Sequence, residues 1–308
     1  MASSGNPLHS SPMTDTPPVS DFDQQLQQFR QSIDAIDEEL FALILKRADI
    51  VQQVGDLKDQ HDSTHVKLRP AREASQLRAI YDKFKHSPFP EASALMIWRH
   101  LINGSLMIES PLRILTLETP QALPDYAREY FGCYADLNYV ATEHELIGLL
   151  QQDRADIGIL PMPSSDAVVP WWLELTNQHS KLRLFLRFPY LPTACVRDGT
   201  EAIAISKIAG EVPTDCSHSA LVIKVDAALS PVDLKETVNA IFSDIQWHCS
   251  NKLRDKSLTF FITVSDIIHD ADDRFEQVKS QLGEQVKEVS VVGYYADKLP
   301  PPSYDGVS

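Results

Sequence analysis

The chain has 308 residues, enough for about two or three domains, and its 43 acidic and 28 basic residues give a formal net charge of −15. Because this negative field repels polyanions, the composition argues against nucleic acid and anionic membrane surfaces as partners. No apolar run is long enough to span a bilayer, so no membrane segment is predicted.

Residues 1–20 are rich in Ser, Pro and Thr and lack the apolar core of a secretory signal, so we predict a disordered tail. Four cysteines occur without CxxC spacing and are expected to be reduced thiols, which favours a cytoplasmic location. They are Cys133, Cys195, Cys216 and Cys249. His61 and His65 lie in a polar segment without further ligands at metal-site spacing, and no Gly-rich phosphate loop occurs. We therefore predict neither a metal nor a cofactor.

A long amphipathic helix is predicted from Asp21 or Asp23, either of which can cap it, to about Gln60. Apolar residues recur along it at heptad spacing, in a seam formed by Leu26, Phe29, Ile33, Ile36, Leu40, Leu43, Ile50, Val54 and Leu57. Arg47 occupies the remaining seam position. A guanidinium cannot lose its proton, so a buried arginine needs an anion. An internal carboxylate, an exposed edge of the seam and a bound ligand all remain open for Arg47.

Two further cations, Arg30 and Lys58, flank the same stripe. At a rise of about 1.5 Å per residue, Arg47 and Lys58 lie roughly 16 Å apart, so their long side chains can converge on one small anion. Arg30 lies about 25 Å from Arg47 and can join that pocket only if a second copy of the helix runs antiparallel beside the first. The spacing therefore suggests a small-anion pocket shared between two chains.

Two more helices complete a predicted domain at 21–110. Pro70 begins one over 71–84, and breaks at Ser87, Pro88 and Pro90 precede the other. The third helix carries one stripe formed by Leu95, Trp98, Leu101, Ile102, Ser105 and Glu109. Three helices of such unequal length cannot bury their apolar faces as a monomer, so we predict a dimer.

After residue 110 the apolar residues recur with a different period. Strands at 113–117, 137–140 and 155–160, with helices at 125–130 and 143–152, predict a small parallel α/β lobe over 111–212. Over 213–297 the order is strand 220–225, helix 231–242, strands 245–250 and 257–264, helix 272–282 and strand 286–294. This βαββαβ order predicts a ferredoxin-like α+β sandwich, followed by a loose tail at 298–308.

The helical domain resembles the all-helical class of chorismate mutases, in particular the mutase half of bifunctional chorismate mutase and prephenate dehydratase proteins. The pattern that carries the resemblance is Arg30, Ile33, Asp34, Ile36, Asp37, Leu40, Leu43, Arg47, Val54, Gly55, Lys58 and then Arg69-Pro70-Ala71-Arg72-Glu73. The resemblance implies an intertwined homodimer of three-helix chains, in which each site combines one chain's Arg47 and Lys58 with the other chain's Arg30.

The resemblance also implies an activity, the rearrangement of chorismate to prephenate in the shikimate pathway of aromatic amino acid biosynthesis, which needs no cofactor. In this family Arg30 and Arg47 would hold the two substrate carboxylates, and Lys58 would donate to the ether oxygen. Glu73 would accept the ring hydroxyl, and Ser105 would be a small polar contact on the third helix.

Departures from the family pattern affect the same pocket. Gln76 and Leu77 stand where some members carry an Arg-Glu pair, which removes one carboxylate ligand and one hydroxyl acceptor. Glu109 stands where the family usually has a glutamine that donates to the ether oxygen. Because an ionised carboxylate would repel the charge that develops there, we predict that Glu109 acts protonated. Alternatively, Glu109 is a helix-end carboxylate that faces water.

The lobe at 111–212 resembles part of a prephenate dehydratase, but its motifs are altered. Leu160-Pro161-Met162-Pro163-Ser164-Ser165 replaces Val-Pro-Ile-Glu-Asn-Ser, and Thr200-Glu201-Ala202 replaces Thr-Arg-Phe. Only about thirty-five residues separate these stretches, too few for a second α/β lobe, so no dehydratase activity is expected.

The segment at 213–297 resembles an ACT regulatory domain, on its element order and on Val291-Val292-Gly293-Tyr294-Tyr295. The family's ligand-binding stretches are replaced at Ser230-Pro231-Val232 and Ser250-Asn251-Lys252-Leu253, so an amino-acid effector remains open.

Two alternatives to a mutase remain. One is a non-catalytic protein that senses a small acid or mediates assembly, which Glu109 and the lost dehydratase motifs favour. The other is an isochorismate pyruvate lyase, a related pericyclic enzyme. We favour the mutase, because the pocket keeps three cations beside a hydrophobic seam.

Overall fold

The computed structural model describes residues 21–61, 68–165, 170–177, 179, 181–191, 199–208 and 216–301. The predicted tail at 1–20, the last residues 302–308, His65, Cys195 and the side chain of His61 lie outside the described residues. The chain divides into two compact units, one up to Ile50 and one from Val51 onward. The division falls within the first helix.

Three helices follow one another at the N-terminal end, as the sequence predicts. They are α1 at Asp21–His61, α2 at Pro70–Phe84 and α3 at Glu91–Glu109. Pro70 starts α2, where the missing backbone N–H would have had no helical partner. In the first unit the large apolar side chains of α1 are mostly exposed, among them Phe29, Ile33, Ile36 and Leu40. An apolar stripe of this length is typical of a protein–protein interface.

In the second unit α2 packs against α3. Leu77 and Tyr81 of α2 are buried, as are Leu95 and Ile102 of α3, and they belong to one hydrophobic cluster. The rings of Phe84 and Trp98 lie beside this core, with centroids 5.9 Å apart. The apolar spacing along both helices places these residues on facing stripes.

The described residues beyond α3 build one nine-stranded sheet with flanking helices. The strands are β1 Arg113–Leu117, β2 Asp136–Val140, β3 Ile157–Pro161, β4 Leu182–Phe188, β5 Ala202–Lys207, β6 His218–Asp226, β7 Ile245–Lys252, β8 Ser257–Val264 and β9 Val286–Tyr295. The α-helices are α4 Ala122–Phe131, α5 Glu143–Gln151, α6 Pro231–Ile241 and α7 Asp273–Leu282, with 3-10 helices at Trp171–Thr176 and Gly283–Gln285. The strand order is β2-β1-β3-β5-β4-β9-β6-β8-β7.

The predicted parallel lobe is mixed instead. Strands β2, β1 and β3 are parallel, but β5 is antiparallel to β3, and β4 is antiparallel to β5. An antiparallel neighbour needs no helical crossover, so a hairpin of β4 and β5 can extend the sheet within a short stretch of chain. The sequence predicted no strand after β3 in this lobe, so β4 and β5 were both missed.

The final four strands have the predicted ferredoxin-like topology. The order β9-β6-β8-β7 is antiparallel throughout, with α6 after β6 and α7 after β8. Both helices pack on one face of the sheet, where Val238 and Phe275 join Ile223 in a buried cluster. On the other face Phe261 lies against Trp172, with ring centroids 6.5 Å apart. This half of the sheet is therefore covered on both faces.

Gly293 joins the two halves of the sheet. It pairs with Leu184, which aligns β9 parallel to β4. A Cβ atom at Gly293 would lie 2.1 Å from the backbone oxygen of Leu184, closer than any side chain can approach. The join therefore requires glycine at this position.

The segment predicted to be loose at the end of the chain is held at Leu299. This side chain is buried, and its backbone N–H donates to the carbonyl oxygen of Tyr190 at 3.0 Å. Within the described part of the chain, no helix is both long enough and apolar enough to cross a membrane.

Candidate active site

Lys58 and Glu109 form an ion pair where α1 meets the end of α3. Gly55 is buried at this crossing, and a Cβ atom there would lie 3.6 Å from the Cα and Cγ atoms of Glu109. One helical turn later, the Lys58 ammonium donates to Oε2 of Glu109. The Lys58 side chain is 27% exposed and that of Glu109 11%. The structure thus brings together two of the residues that the sequence assigns to one site.

This pair has defined donor and acceptor roles. A carboxylate in contact with an ammonium accepts, so in this arrangement Glu109 is an acceptor. The ammonium of Lys58 has three donors and keeps capacity for a further anionic oxygen. Because the pair is partly withdrawn from water, its attraction exceeds that of a fully solvated pair.

Ser105 lies one turn before Glu109 on the same face of α3. It is buried, and its hydroxyl donates to the carbonyl oxygen of Leu101 at 2.7 Å. With its proton committed to the helix, the hydroxyl offers lone pairs to a ligand. Ser105 is therefore suited to accept a hydrogen bond.

Glu73 lies in a buried ion pair with Arg99, a residue that the sequence reading missed. Arg99 is 0% exposed and Glu73 5%. The Nη1 atom of Arg99 donates to Oε2 of Glu73 at 2.7 Å, while Nε and Nη2 donate to Oδ1 of Asn103 at 3.1 and 2.6 Å. Burial acts to lower the pKa of Arg99, but the Glu73 carboxylate, together with Tyr130 and Tyr190, outweighs burial and the pKa is raised.

The same network reaches α4. The Cζ atom of Arg99 lies 4.0 Å from the ring centroid of Tyr130, and Nδ2 of Asn103 donates to the carbonyl oxygen of Tyr130 at 2.9 Å. Tyr190 packs edge-on against Tyr130, and burial raises the pKa of Tyr190 to about 12. The phenols thus stay neutral, and the charge in this region belongs to the Arg99 pair.

Arg99 and Asn103 face a different direction from the Lys58 contact. At about 100° per residue, this pair lies about 120° around α3 from the face that carries Ser105 and Glu109. A sequence signal did exist, because an Arg and an Asn four residues apart interrupt an otherwise apolar stretch. The sequence alone does not identify their partners.

Arg30 and Arg47 belong to the first unit. Arg30 is exposed and Arg47 half-buried on α1. Their meeting with Glu73, Ser105, Lys58 and Glu109 remains a prediction.

Glu201, which stands in place of a predicted carboxylate-binding arginine, accepts from Arg187 of β4 at 2.7 Å. Arg187 also donates to Gln246 of β7 at 2.8 Å. Nearby, burial together with the charge of Arg187 lowers the pKa of His248 to about 4. The charge of Arg187 is thus already neutralised by the Glu201 carboxylate. The cluster is therefore poorly suited to bind an acid. The described residues contain no group of three or more His, Cys, Asp or Glu side chains arranged around a metal position.

The helical region is similar to known proteins. Residues 29–110 match the family chorismate mutase type II, which confirms the resemblance drawn from Arg30 to Glu73. The bifunctional chorismate mutase/prephenate dehydratase of Aquifex aeolicus (strain VF5) is 24% identical over 155 residues, 49% of this chain and 43% of that protein. That of Neisseria gonorrhoeae (strain ATCC 700825 / FA 1090) is 30% identical over 144 residues, 46% of this chain and 38% of that protein. The chain thus spans less than half the length of these relatives.

Among solved structures, a prephenate dehydratase from Streptococcus mutans is similar, with a TM-score of 0.43 and 14% identity. The match covers 61% of this chain and 98% of that chain. Likeness at this level supports no inference about activity.

Proposed function

We propose that this protein is a chorismate mutase that converts chorismate to prephenate without a cofactor. The observation that carries the proposal is the Lys58–Glu109 pair, which lies inside the region matched to chorismate mutase type II. A partly buried ammonium at this position suits a reaction in which negative charge builds on an ether oxygen. We place the reaction in aromatic amino acid biosynthesis and the protein in the cytoplasm.

The chemistry needs little beyond positioning and electrostatics. A concerted rearrangement is accelerated by holding the folded conformer and by stabilising the charge that develops in the transition state. In the proposed site, Arg30 of the partner subunit and Arg47 bind the carboxylates with fork-shaped donors. Lys58 donates to the ether oxygen, and Glu73 accepts from the ring hydroxyl.

Ser105 and Glu109 complete the proposed site on the face of α3 that meets α1. Ser105 accepts a substrate hydrogen bond through its lone pairs. Glu109 shares the ether oxygen with Lys58 when it carries a proton, and otherwise anchors Lys58. The two roles predict different pH profiles.

A homodimer is part of the proposal. The exposed apolar stripe of α1 gives a second chain a surface to bury, and an antiparallel partner helix would bring Arg30 to the other chain's Arg47. The decisive experiment mixes two inactive variants, Arg30→Ala and Arg47→Ala. Refolded together, they should regenerate one intact site per mixed dimer, so the loss of chorismate absorbance should return. Mixtures as inactive as their components would contradict the shared site, and Arg30→Ala with Arg30→Ala is the control.

The second part of the proposal is that the chain lacks prephenate dehydratase activity, although its relatives carry both activities in their names. The support is Glu201, which neutralises Arg187 where an acid-binding cation is expected. Prephenate at neutral pH should give phenylpyruvate only at the spontaneous rate. Enzyme-dependent phenylpyruvate would overturn this part alone.

A second candidate is a non-catalytic sensor of a small acid, because Glu109 already accepts from the ammonium on which the proposed catalysis depends. In this reading the ferredoxin-like segment is an ACT-like module that binds an amino acid. The same absorbance assay separates the two candidates, since a sensor would bind chorismate or an amino acid in calorimetry without consuming chorismate.

A further inference from the structure

We propose that Arg99 is a positioning residue for Glu73, and that the α/β lobe sets its position through Tyr130. The inference rests on the proposed mutase function. It assigns the lobe a task in the site of the helical domain.

The first step concerns how many acceptor positions of the Glu73 carboxylate Arg99 uses. Arg99 binds only one of its two carboxylate oxygens, Oε2. A carboxylate has about four acceptor positions, so capacity remains for a substrate hydroxyl. Arg99 leaves α3 about 120° around the helix from Ser105 and Glu109, so it does not occupy the face that carries those two residues.

The second step concerns what holds Arg99. Its planar fork has two donors on Asn103, and its face lies 4.0 Å from the Tyr130 ring centroid. Asn103 is itself fixed by its bond to the Tyr130 carbonyl oxygen. The guanidinium is thus held in plane by α3 and stacked by α4, and α4 belongs to the lobe. A shift of α4 would move Arg99, and Glu73 with it.

The third step asks why the pair is there. A buried ion pair contributes little stability relative to apolar residues of similar volume, because desolvation offsets most of the attraction. A fixed guanidinium instead supplies geometry, because its planar fork of donors orients a carboxylate in a way that a point charge cannot. Arg99 touches no reacting atom in this arrangement and acts only through Glu73.

The test measures kcat and KM for chorismate in the full-length protein and its variants, with secondary structure and oligomeric state checked for each. Arg99→Met should raise KM about tenfold and change kcat less, because a hydroxyl contact present in both ground and transition states is lost. Tyr130→Leu, which removes the lobe's ring beside Arg99, should also raise KM. Arg78→Met is the matched control: Arg78 also links α2 to the rest of the chain, through the carbonyl oxygen of Asp297, but does not touch Glu73.

A double variant separates positioning from structure. If Arg99 acts through Glu73, then Glu73→Gln with Arg99→Met should be no worse in kcat/KM than Glu73→Gln alone. The double variant removes both charges, so it should fold even where one single variant does not. If the singles lower only thermal stability, or if Arg78→Met raises KM equally, Arg99 is merely structural and the proposal is wrong. A wild-type protein that leaves chorismate unchanged would instead remove the proposed function, and this inference with it.

Discussion

Glu109 is the residue whose role depends most on its protonation. In the structure it accepts from Lys58, yet the predicted role requires it to donate to an ether oxygen. A carboxyl group donates only while it keeps its proton, and once ionised it repels the charge that the transition state develops. The two roles therefore differ in how activity responds to pH.

If Glu109 donates to the ether oxygen, kcat/KM for chorismate should decline as pH rises, and Glu109→Gln should abolish the decline because an amide donates at every pH. The check is a kcat/KM profile of both proteins from about pH 5 to pH 9. If Glu109 only anchors Lys58, the Gln variant will instead be slower at every pH. A flat wild-type profile would exclude the donor role.

His248 provides a second pH-dependent prediction, on stability. Burial, together with Arg187, lowers its pKa to about 4 in the folded chain, whereas an unfolded histidine titrates near pH 6.5. Between these values the unfolded state binds more protons, so stability falls as pH decreases through this window, by on the order of 3 kcal/mol in total. His248→Gln should flatten the dependence of the urea midpoint between about pH 4.5 and pH 7. His100→Gln, at an exposed position of α3, should leave the wild-type slope unchanged.

At the scale of elements, the β4–β9 join depends on Gly293. A Cβ atom there would press on the backbone of Leu184, which cannot rotate away. Gly293→Ala should therefore lower the free energy of unfolding by about 3 kcal/mol, the upper part of the range for overpacking. The control is Gly148→Ala in α5, where a Cβ meets nothing within 4 Å. That change should stabilise by about 0.5–1 kcal/mol, since alanine favours helix over glycine. Equal unfolding midpoints for the two variants would contradict the tight join.

Sequence periodicity predicted the elements with strong patterns. The strand at 113–117 and the strand at 257–264 have the predicted ends, and α2 and α3 follow their Pro and apolar signals. Strands β4 and β5 were missed because antiparallel strands need no crossover helix. The alternation of strand and helix that predicted the parallel strands is therefore absent here. A weaker signal was present in β4, where Arg183 and Arg187 interrupt a run of otherwise buried apolar residues.

The site was predictable to the extent that its residues follow a family pattern. Lys58 and Glu109 were assigned to one site from sequence, and they meet in the structure. The Arg99 network could not be found in this way, because its partner Tyr130 lies on another element and their contact depends on how α4 docks. Long-range polar contacts leave no periodic signal along the chain.

At the scale of the whole molecule, the apolar stripe of α1 should control both assembly and activity. Replacing Ile36 and Leu40 by Glu adds charge to a surface that a dimer would bury, and burying unpaired charge costs several kcal/mol. The double variant should sediment as a monomer and lose chorismate turnover, because Arg30 no longer reaches a second chain. Glu38→Gln, on the opposite side of the helix, should remain dimeric and active. An active monomer would exclude sites shared between chains.

The place of β9 in the sheet has a consequence for synthesis on the ribosome. It is the last described strand in chain order, yet it lies between β4 and β6. Until β9 emerges, β4 and β6 each present an open edge with unpaired backbone groups, the kind of surface on which nascent chains mispair. Closing the sheet then joins residues more than a hundred positions apart, a slow step that can begin only after β9 has been synthesised. A ribosome that stalls shortly before Val286 would release a chain in which the edges of β4 and β6 are both exposed. Cellular quality control would need to bind this chain before another chain pairs with those edges.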